Sequence, residues 1–471
     1  MMATTVRAGG AGAAARRGLR ASFRGALLAP GEEGYDEARH VWNGAIDRRP
    51  ALIARCAGAD DVVVAVRFAA DAGMPLSVRG GGHSVAGHGV CEGGLMIDLS
   101  LMKAIRVDPA ARAARAAGGV LWGEFDRATQ RHGLAVTGGM ISHTGVGGLT
   151  LGGGLGNLMR KLGLTVDSLT GVHLVTAAGE RLHVTAESDP ELFWGLRGGG
   201  GNFGIATALE YRLHPVGPMV VGGPMLWPLD DAPAVLPVLD ELAGGAPDEL
   251  GIALFARLAP PMPFVPPDRV GTPVVLMLVV WCGAPGDLEP VLAPLRAAAA
   301  PLVDLVRPVP YLALQSLGDG GAPPGNHYYW RSHRLPGLGA GAIDAIVEMT
   351  GAITSPMSQV GGWIIGGAAS RVPADATAVG PREPGVELNV TAAWSPADDG
   401  ERHRAWVRRG WESLRPYSAG VYANFLSDED AAAVRASYGE RLARLTALKD
   451  RHDPGNAFRL NANVAPTGGA R

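Results

Sequence analysis

Three consecutive glycines, Gly80, Gly81 and Gly82, separate Arg79 from His83 and Ser84, and no other stretch narrows the fold as much. With every Cβ removed, backbone N–H groups can close on an anion such as a pyrophosphate in conformations open only to glycine. His83 is then delivered to a ligand at the end of the loop. Taken alone, the six residues also fit a surface glycine loop with an incidental histidine, because such patterns recur without a ligand.

Two further clusters decide against that plainer reading. The run from Thr144 to Gly156 carries Gly145, Gly147, Gly148, Gly152, Gly153, Gly154 and Gly156, interleaved with Val146, Leu149, Thr150, Leu151 and Leu155. A flexible linker would be polar and rich in Gly and Ser. The third cluster, Gly198 to Gly204, contains a literal GxGxxG at Gly199, Gly201 and Gly204. Its context is not that of a Rossmann site, which needs strand first and helix second. Here a helix-like Glu191 to Arg197 precedes it and a strand-like stretch from Ile205 to Leu213 follows. No Walker GxxxxGK[ST] occurs. Three such clusters imply one large nucleotide cofactor wrapped by several loops.

Length and charge bound the rest. A chain of 471 residues, 47% hydrophobic and 18% charged, is too long for one core, so two domains are expected. A net charge of −3 without a long basic run argues against nucleic acid or an anionic membrane as partner. Cys56, Cys91 and Cys282 form no CxxC pair, so neither a disulfide framework nor a thiolate zinc site is suggested, and no metal is expected. Arg16-Arg17 is followed by no sustained apolar segment, so residues 1 to about 20 read as a flexible leader and not as an export signal. No apolar run is long enough for a membrane span. The expectation is a soluble, cytoplasmic protein with a small-molecule partner and an open oligomeric state.

Periodicity places the motifs. Asp60-Asp61 can cap a helix running to Gly73, and residues 75–78 read as a strand feeding the first glycine loop. Strands are expected over 95–99 and 113–117, a helix over 121–132, and a hairpin formed by 169–177 and 181–185. Asp189-Pro190-Glu191 opens a helix with Pro in its first turn.

Taken in order, these segments resemble the berberine-bridge-enzyme-like branch of the vanillyl-alcohol-oxidase flavoproteins, with a PCMH-type FAD domain. The resemblance rests on Arg79 to Gly89, on the second glycine run with Arg160 to Leu164 and Asp167, and on Leu192 to Gly200. Tyr35 to Arg39 with Trp42-Asn43 extend it toward the N-terminus. Toward the C-terminus it returns in Tyr422 to Phe425 and in Asp453 to Phe458 with Asn461 and Asn463.

The resemblance implies an α+β fold: a two-part FAD-binding domain, residues 21–215 completed by 415–471, enclosing a substrate domain over 216–414. That inserted α+β domain is built on an antiparallel sheet that roofs the flavin. It also implies FAD bonded to a ring nitrogen of His83. A cysteine that forms a second bond in some relatives is replaced here by Ile141, so attachment through His83 alone is expected. By the same resemblance the cofactor lies among Arg79, Gly80, Gly81, Gly82, Ser84, His88 and Gly89. The second loop contributes Thr144, Gly145, Gly147, Gly148, Leu149, Gly152, Gly153, Gly154, Gly156 and Asp167. Gly200, Gly201, Asn202, Gly204 and Ile205 follow, with Asn424, Asn461 and Asn463 from the return.

The chemistry implied is oxidation of a small or medium organic substrate by hydride transfer to flavin N5, with molecular oxygen as acceptor. Many relatives use a tyrosine closing a YxNY motif as base, and Phe425 occupies that position here. Tyr422, Tyr328 and Thr144 remain as catalytic candidates. Alternation along a strand puts Tyr328 and Trp330 on one face and His327 and Tyr329 on the other, so one pair at most reaches the pocket. Thr144 with Leu149 resembles the oxygen-handling wall of a polyketide-remodelling enzyme. That keeps open a monooxygenase or oxidative cyclase of secondary metabolism acting on an aromatic or polyketide-like substrate. A noncatalytic flavin-binding protein would have a roof stripped of polar residues, which this chain does not.

Overall fold

The computed structural model describes residues 13–427 and 431–468. Its first part contains two sheets. Leu52–Arg55, Leu95–Asp98 and Leu76–Arg79 run parallel, with Ala26–Leu28 antiparallel at the edge. Parallel strands need a crossover, and the helix Ala59–Asp71 provides one while burying Val62, Ala65, Val66 and Ala69. Asp61 does not cap this helix, whose N-cap is Gly58. Its carboxylate accepts from the backbone N–H groups of Arg24, Gly25 and Ala57 at 2.8, 3.1 and 2.8 Å, holding the incoming chain.

The second sheet is antiparallel, in the order Ile105–Asp108, Ala113–Ala117, Ile205–Arg212, Leu169–Val175 and Arg181–Val184. The last two strands form the expected hairpin. The helix Pro190–Leu196 follows, with Asp189 accepting from the Leu192 N–H at 3.0 Å.

From Met219 onward the chain builds one large antiparallel sheet. Its central strands lie in the order Met219–Pro228, Pro273–Trp281, Leu250–Leu258, Gln359–Ile365, Gly385–Trp394 and His327–Leu335. Strand period decides its two faces. Leu250, Ile252, Leu254 and Ala256 join the core beneath the helices Ala232–Gly245, Ala340–Gly351 and Gly400–Leu414. Phe255 and Arg257 point the other way, toward the first part. The architecture is α+β.

Long-range returns join the two parts. Leu445, Leu448, Phe458 and Val464 enter the first core. Lys449, fully buried, donates to the Asn202 and Phe458 carbonyls at 3.0 and 2.9 Å and to Asp453 at 2.7 Å. All three ammonium donors are thereby used. Asn43 donates to the carbonyls of Val85 and Tyr328 and accepts from the Tyr328 N–H. The chain around 375–382, grouped with the middle segment on sequence, reaches back: Trp194 donates to the Asp375 carbonyl, and Arg197 to that of Ala376.

The expected flexible leader departs from the structure. Ala13–Ser22 is a helix, and Leu19 is buried in the first core, which gives the segment an apolar anchor. Residues 1–12 lie outside the described residues. No described helix is long and apolar enough to cross a membrane.

Candidate active site

Between the first part and the roof lies a cavity of about 1090 Å³. Gly80, Gly81, Gly82, His83, Ser84, His88 and Gly89 line one stretch of it. Thr144, Gly145, Gly147, Gly148, Leu149 and Gly152 line the next, and Gly200, Gly201, Gly204 and Ile205 a third. The first two loops touch backbone to backbone. A Cβ on Gly81 would stand 2.3 Å from the Gly145 nitrogen, and one on Gly145 2.4 Å from the Gly81 nitrogen. Only glycine permits that approach.

His83 sits where these loops meet the roof. Its ring stacks on Trp42 with centroids 4.2 Å apart, and its Nε2 lies 3.1 Å from Nδ1 of His143. Burial, reinforced by the neighbouring His143, pushes the His83 pKa down to about 3, so the imidazole is neutral at physiological pH. Burial also lowers His88, to about 4. Trp42 stacks in turn with Tyr328 at 3.7 Å and donates from Nε1 to the Ala322 carbonyl. The His143 turn is held by Asp319, which accepts from the Ser142 N–H and hydroxyl at 2.8 and 2.6 Å.

Several residues named from sequence stand behind the cavity wall. Arg79 donates to the Ala38 carbonyl at 2.6 Å. Gly153 and Gly154 turn the chain at φ of 127° and 85°, and Gly156 packs against the Gly138 carbonyl. Asp167 pairs with Arg382 and accepts from the Leu164 N–H, both at 2.7 Å, so it ties segments together. Asn202 donates to the Gly199 and Ala462 carbonyls and accepts from the Val464 N–H, pinning the C-terminal return. Asn463 is also absent from the cavity lining. Asn424 and Asn461 do line it. Asn424 donates to the Leu149 carbonyl, while the Asn461 side-chain oxygen is buried without a hydrogen-bond partner.

The catalytic candidates are placed unequally. Tyr422 reaches the cavity, and its hydroxyl accepts from the Gly154 N–H at 2.7 Å and from Asn424 at 3.2 Å. Burial raises its pKa. Tyr328 and Trp330 share the cavity face, while Tyr329 joins the opposite core. The Tyr328 hydroxyl donates to the Pro323 carbonyl at 2.5 Å, which commits its proton to the backbone and leaves the ring to hold Trp42. Thr144 lines the wall beside His143. Phe425 stacks on Trp363 and its carbonyl accepts from Trp330 Nε1, closing an aromatic corner.

The sequence reading passed over Arg257, Asn389 and Thr391, which all line the cavity. A single arginine inside the apolar strand Leu250–Leu258 was the available signal for the first. Away from the cavity, Glu210 accepts from His173 and His183 at 2.8 and 3.1 Å, and these three are the one described group of at least three potential ligands that could hold a metal ion.

The cavity fits FAD on its own terms. Glycine loops in mutual contact leave backbone facing it, the Asn461 side-chain oxygen on its wall lacks a partner, and the volume suits a dinucleotide. The comparisons agree. The family model "FAD binding domain" matches residues 50–185, and "Berberine and berberine like" matches residues 421–465. (R)-6-hydroxynicotine oxidase of Paenarthrobacter nicotinovorans is 32% identical over 95% of this chain and 98% of its own length. The crystal structure of 6-hydroxy-D-nicotine oxidase from Arthrobacter nicotinovorans superposes with a TM-score of 0.84 at 30% identity, covering 94% of this chain and 98% of that one. FAD-dependent monooxygenase FUP4 of Fusarium proliferatum is 36% identical over 45% of this chain and 41% of its own length. Family models at both ends and a full-length relative place this chain in the berberine-bridge-enzyme-like family of FAD-linked oxidoreductases, with FAD as its cofactor.

Proposed function

We propose that the chain is an oxidase that carries FAD on His83 alone and oxidises a small or medium organic substrate, with molecular oxygen as electron acceptor. The observation that carries this reading is His83 itself: neutral, clamped between Trp42 and His143, at the junction of the glycine loops. A neutral imidazole keeps a nitrogen lone pair available for a carbon electrophile, which imidazolium does not. When bound, FAD supplies a two-electron acceptor that takes hydride at N5 and passes the electrons to oxygen. Trp42 fixes the ring plane of His83, and His143 fixes its hydrogen-bonded nitrogen. Asn424 and Asn461 offer amides along the wall, and Trp330, Trp363 and Phe425 keep water from the aromatic corner. Phe425 cannot exchange a proton, and the Tyr422 hydroxyl holds its proton firmly, so a substrate that needs little base assistance suits this site.

A second reading, a monooxygenase or oxidative cyclase on an aromatic or polyketide-like substrate, is favoured by Thr144 and Leu149 on the wall and by the likeness to FUP4 over part of the chain.

The test is the absorption spectrum of purified protein before and after acid precipitation, repeated with His83→Ala. Flavin colour in the parent pellet and its release in the variant are expected. Colour released by the parent refutes the covalent link, and a colourless parent refutes the whole reading. Peroxide formed without oxygen-18 in the product then separates oxidase from monooxygenase.

A further inference from the structure

The roof sheet is in register over the cavity, and its register ranks the side chains in rows. Arg257 pairs with Gln359, Gln359 with Thr391, and Thr391 with Trp330. The next row on the same face is Phe255, Gly361, Asn389 and Ser332, about 7 Å along the strands. Gly361 adds no side chain there, and a Cβ on it would run into the Phe255 ring at 2.5 Å. The Phe255 ring therefore covers Gly361, and the face ends in a cation one row along.

Arg257 is the unusual member of this face. Its Nε donates to the Leu258 carbonyl at 3.3 Å and its Nη1 to the Gln359 side-chain oxygen at 3.1 Å. Both are neutral acceptors, and no carboxylate stands within salt-bridge distance among the described residues. Burial alone depresses its pKa, with no acidic neighbour to offset it. Arginine nevertheless stays charged, so the fold holds a partly desolvated cation against a cavity wall without a counter-charge. Such a cation is costly unless something else pairs with it. Two further groups on the face are unmatched: the Trp363 indole N–H and the Asn389 side-chain oxygen. The surrounding wall is aromatic, formed by Trp330, Trp363, Phe425 and Phe255.

We infer that Arg257, steadied by Gln359, is the carboxylate-recognition residue of the substrate site, and that the substrate is an organic acid with an aromatic or apolar body lying against the wall of Trp330, Trp363, Phe425 and Phe255. The inference rests on the reading of this cavity as the FAD and substrate site and adds the substrate class to it. A guanidinium with free Nη2 hydrogens matches a planar carboxylate, whose monoanion neutralises the single cation. Arg257 stands on the roof sheet and not on the glycine loops, which is why the cation is assigned to the substrate and not to the cofactor.

The test uses flavin-loaded protein titrated calorimetrically with benzoate and, as the uncharged isostere, benzamide. Parent protein should bind benzoate at least roughly tenfold more tightly than benzamide, the ratio expected for one charge-assisted hydrogen-bonded pair. Arg257→Gln should remove that advantage and leave benzamide binding unchanged, and Arg257→Lys should restore part of it. Flavin content should be equal in all three. Equal affinity for the two probes in the parent, no benzoate binding by the parent, or benzoate affinity untouched by Arg257→Gln overturns the inference. So does loss of flavin in a folded Arg257→Gln variant, which would assign the cation to the cofactor. If that variant does not fold, the benzoate-to-benzamide ratio in the parent and in Arg257→Lys still decides. A parent without flavin would instead overturn the reading of the cavity itself, so the two failures are distinguishable.

Discussion

Gly81→Ala is the sharpest test of the glycine cradle. The added Cβ would lie 2.3 Å from the Gly145 nitrogen and 2.6 Å from its Cα, whereas ordinary contact begins at 3.4 Å. Both neighbours are backbone, so no rotamer change relieves the clash. The two loops must separate by roughly 1.1 Å, the difference between 3.4 and 2.3 Å. Overpacking of this kind costs about 1–3 kcal/mol. The displacement also opens the cradle that meets at His83, so flavin retention should fall along with stability. Gly148→Ala is the control: it lies in the helix Val146–Leu151, and its Cβ would meet nothing within 4 Å. Alanine there should leave stability equal or higher by about 0.5–1 kcal/mol. It should still reduce flavin content, because Gly148 faces the cavity. The assay is the urea midpoint together with the ratio of flavin to protein absorbance. A Gly81→Ala protein with parental midpoint and full flavin would refute the reasoning.

Lys449→Met leaves Asp453 buried without its cation and two carbonyls without a donor, so a loss of about 3–5 kcal/mol is expected in urea unfolding; a loss under about 1 kcal/mol would contradict it. Glu387 gives a pH prediction. Burial pushes its pKa from 4.5 up to about 7, partly opposed by Arg334. The folded chain thus keeps a proton that the unfolded chain has released, and stability falls as pH rises from about 4.5 to 7. Relative to the parent, Glu387→Gln should gain about 3 kcal/mol across that window, because 1 pKa unit is worth about 1.4 kcal/mol. Parallel stability–pH curves for the two proteins would show that Glu387 is not the titrating group.

Sequence alone singled out the three glycine loops that line one cavity, because a missing Cβ is a property of the residue and needs no neighbour to be read. It also determined that Tyr328 and Trp330 share one face of His327–Leu335, since strand period puts them together, while the fold decided that this face looks at the pocket. The replacement of a motif tyrosine by Phe425 was equally legible. Tertiary structure alone decided which loop residues face the cavity and which support it. Gly145 and Gly154 are indistinguishable in composition, yet one lines the cavity and the other hydrogen-bonds the Tyr422 hydroxyl. Asp167 and Asn202 acquire their roles from Arg382 and Val464, 215 and 262 residues away. Lys449 and Arg257 carry the same lesson with opposite outcomes. Both are cations in apolar surroundings; Lys449 meets a carboxylate only four residues on, at Asp453, whereas its reach to the Asn202 carbonyl and the cavity that Arg257 faces without a carboxylate are visible only in the fold. Distant contacts of this kind form when two cores close on each other, and no local pattern in the chain encodes which partner will be there.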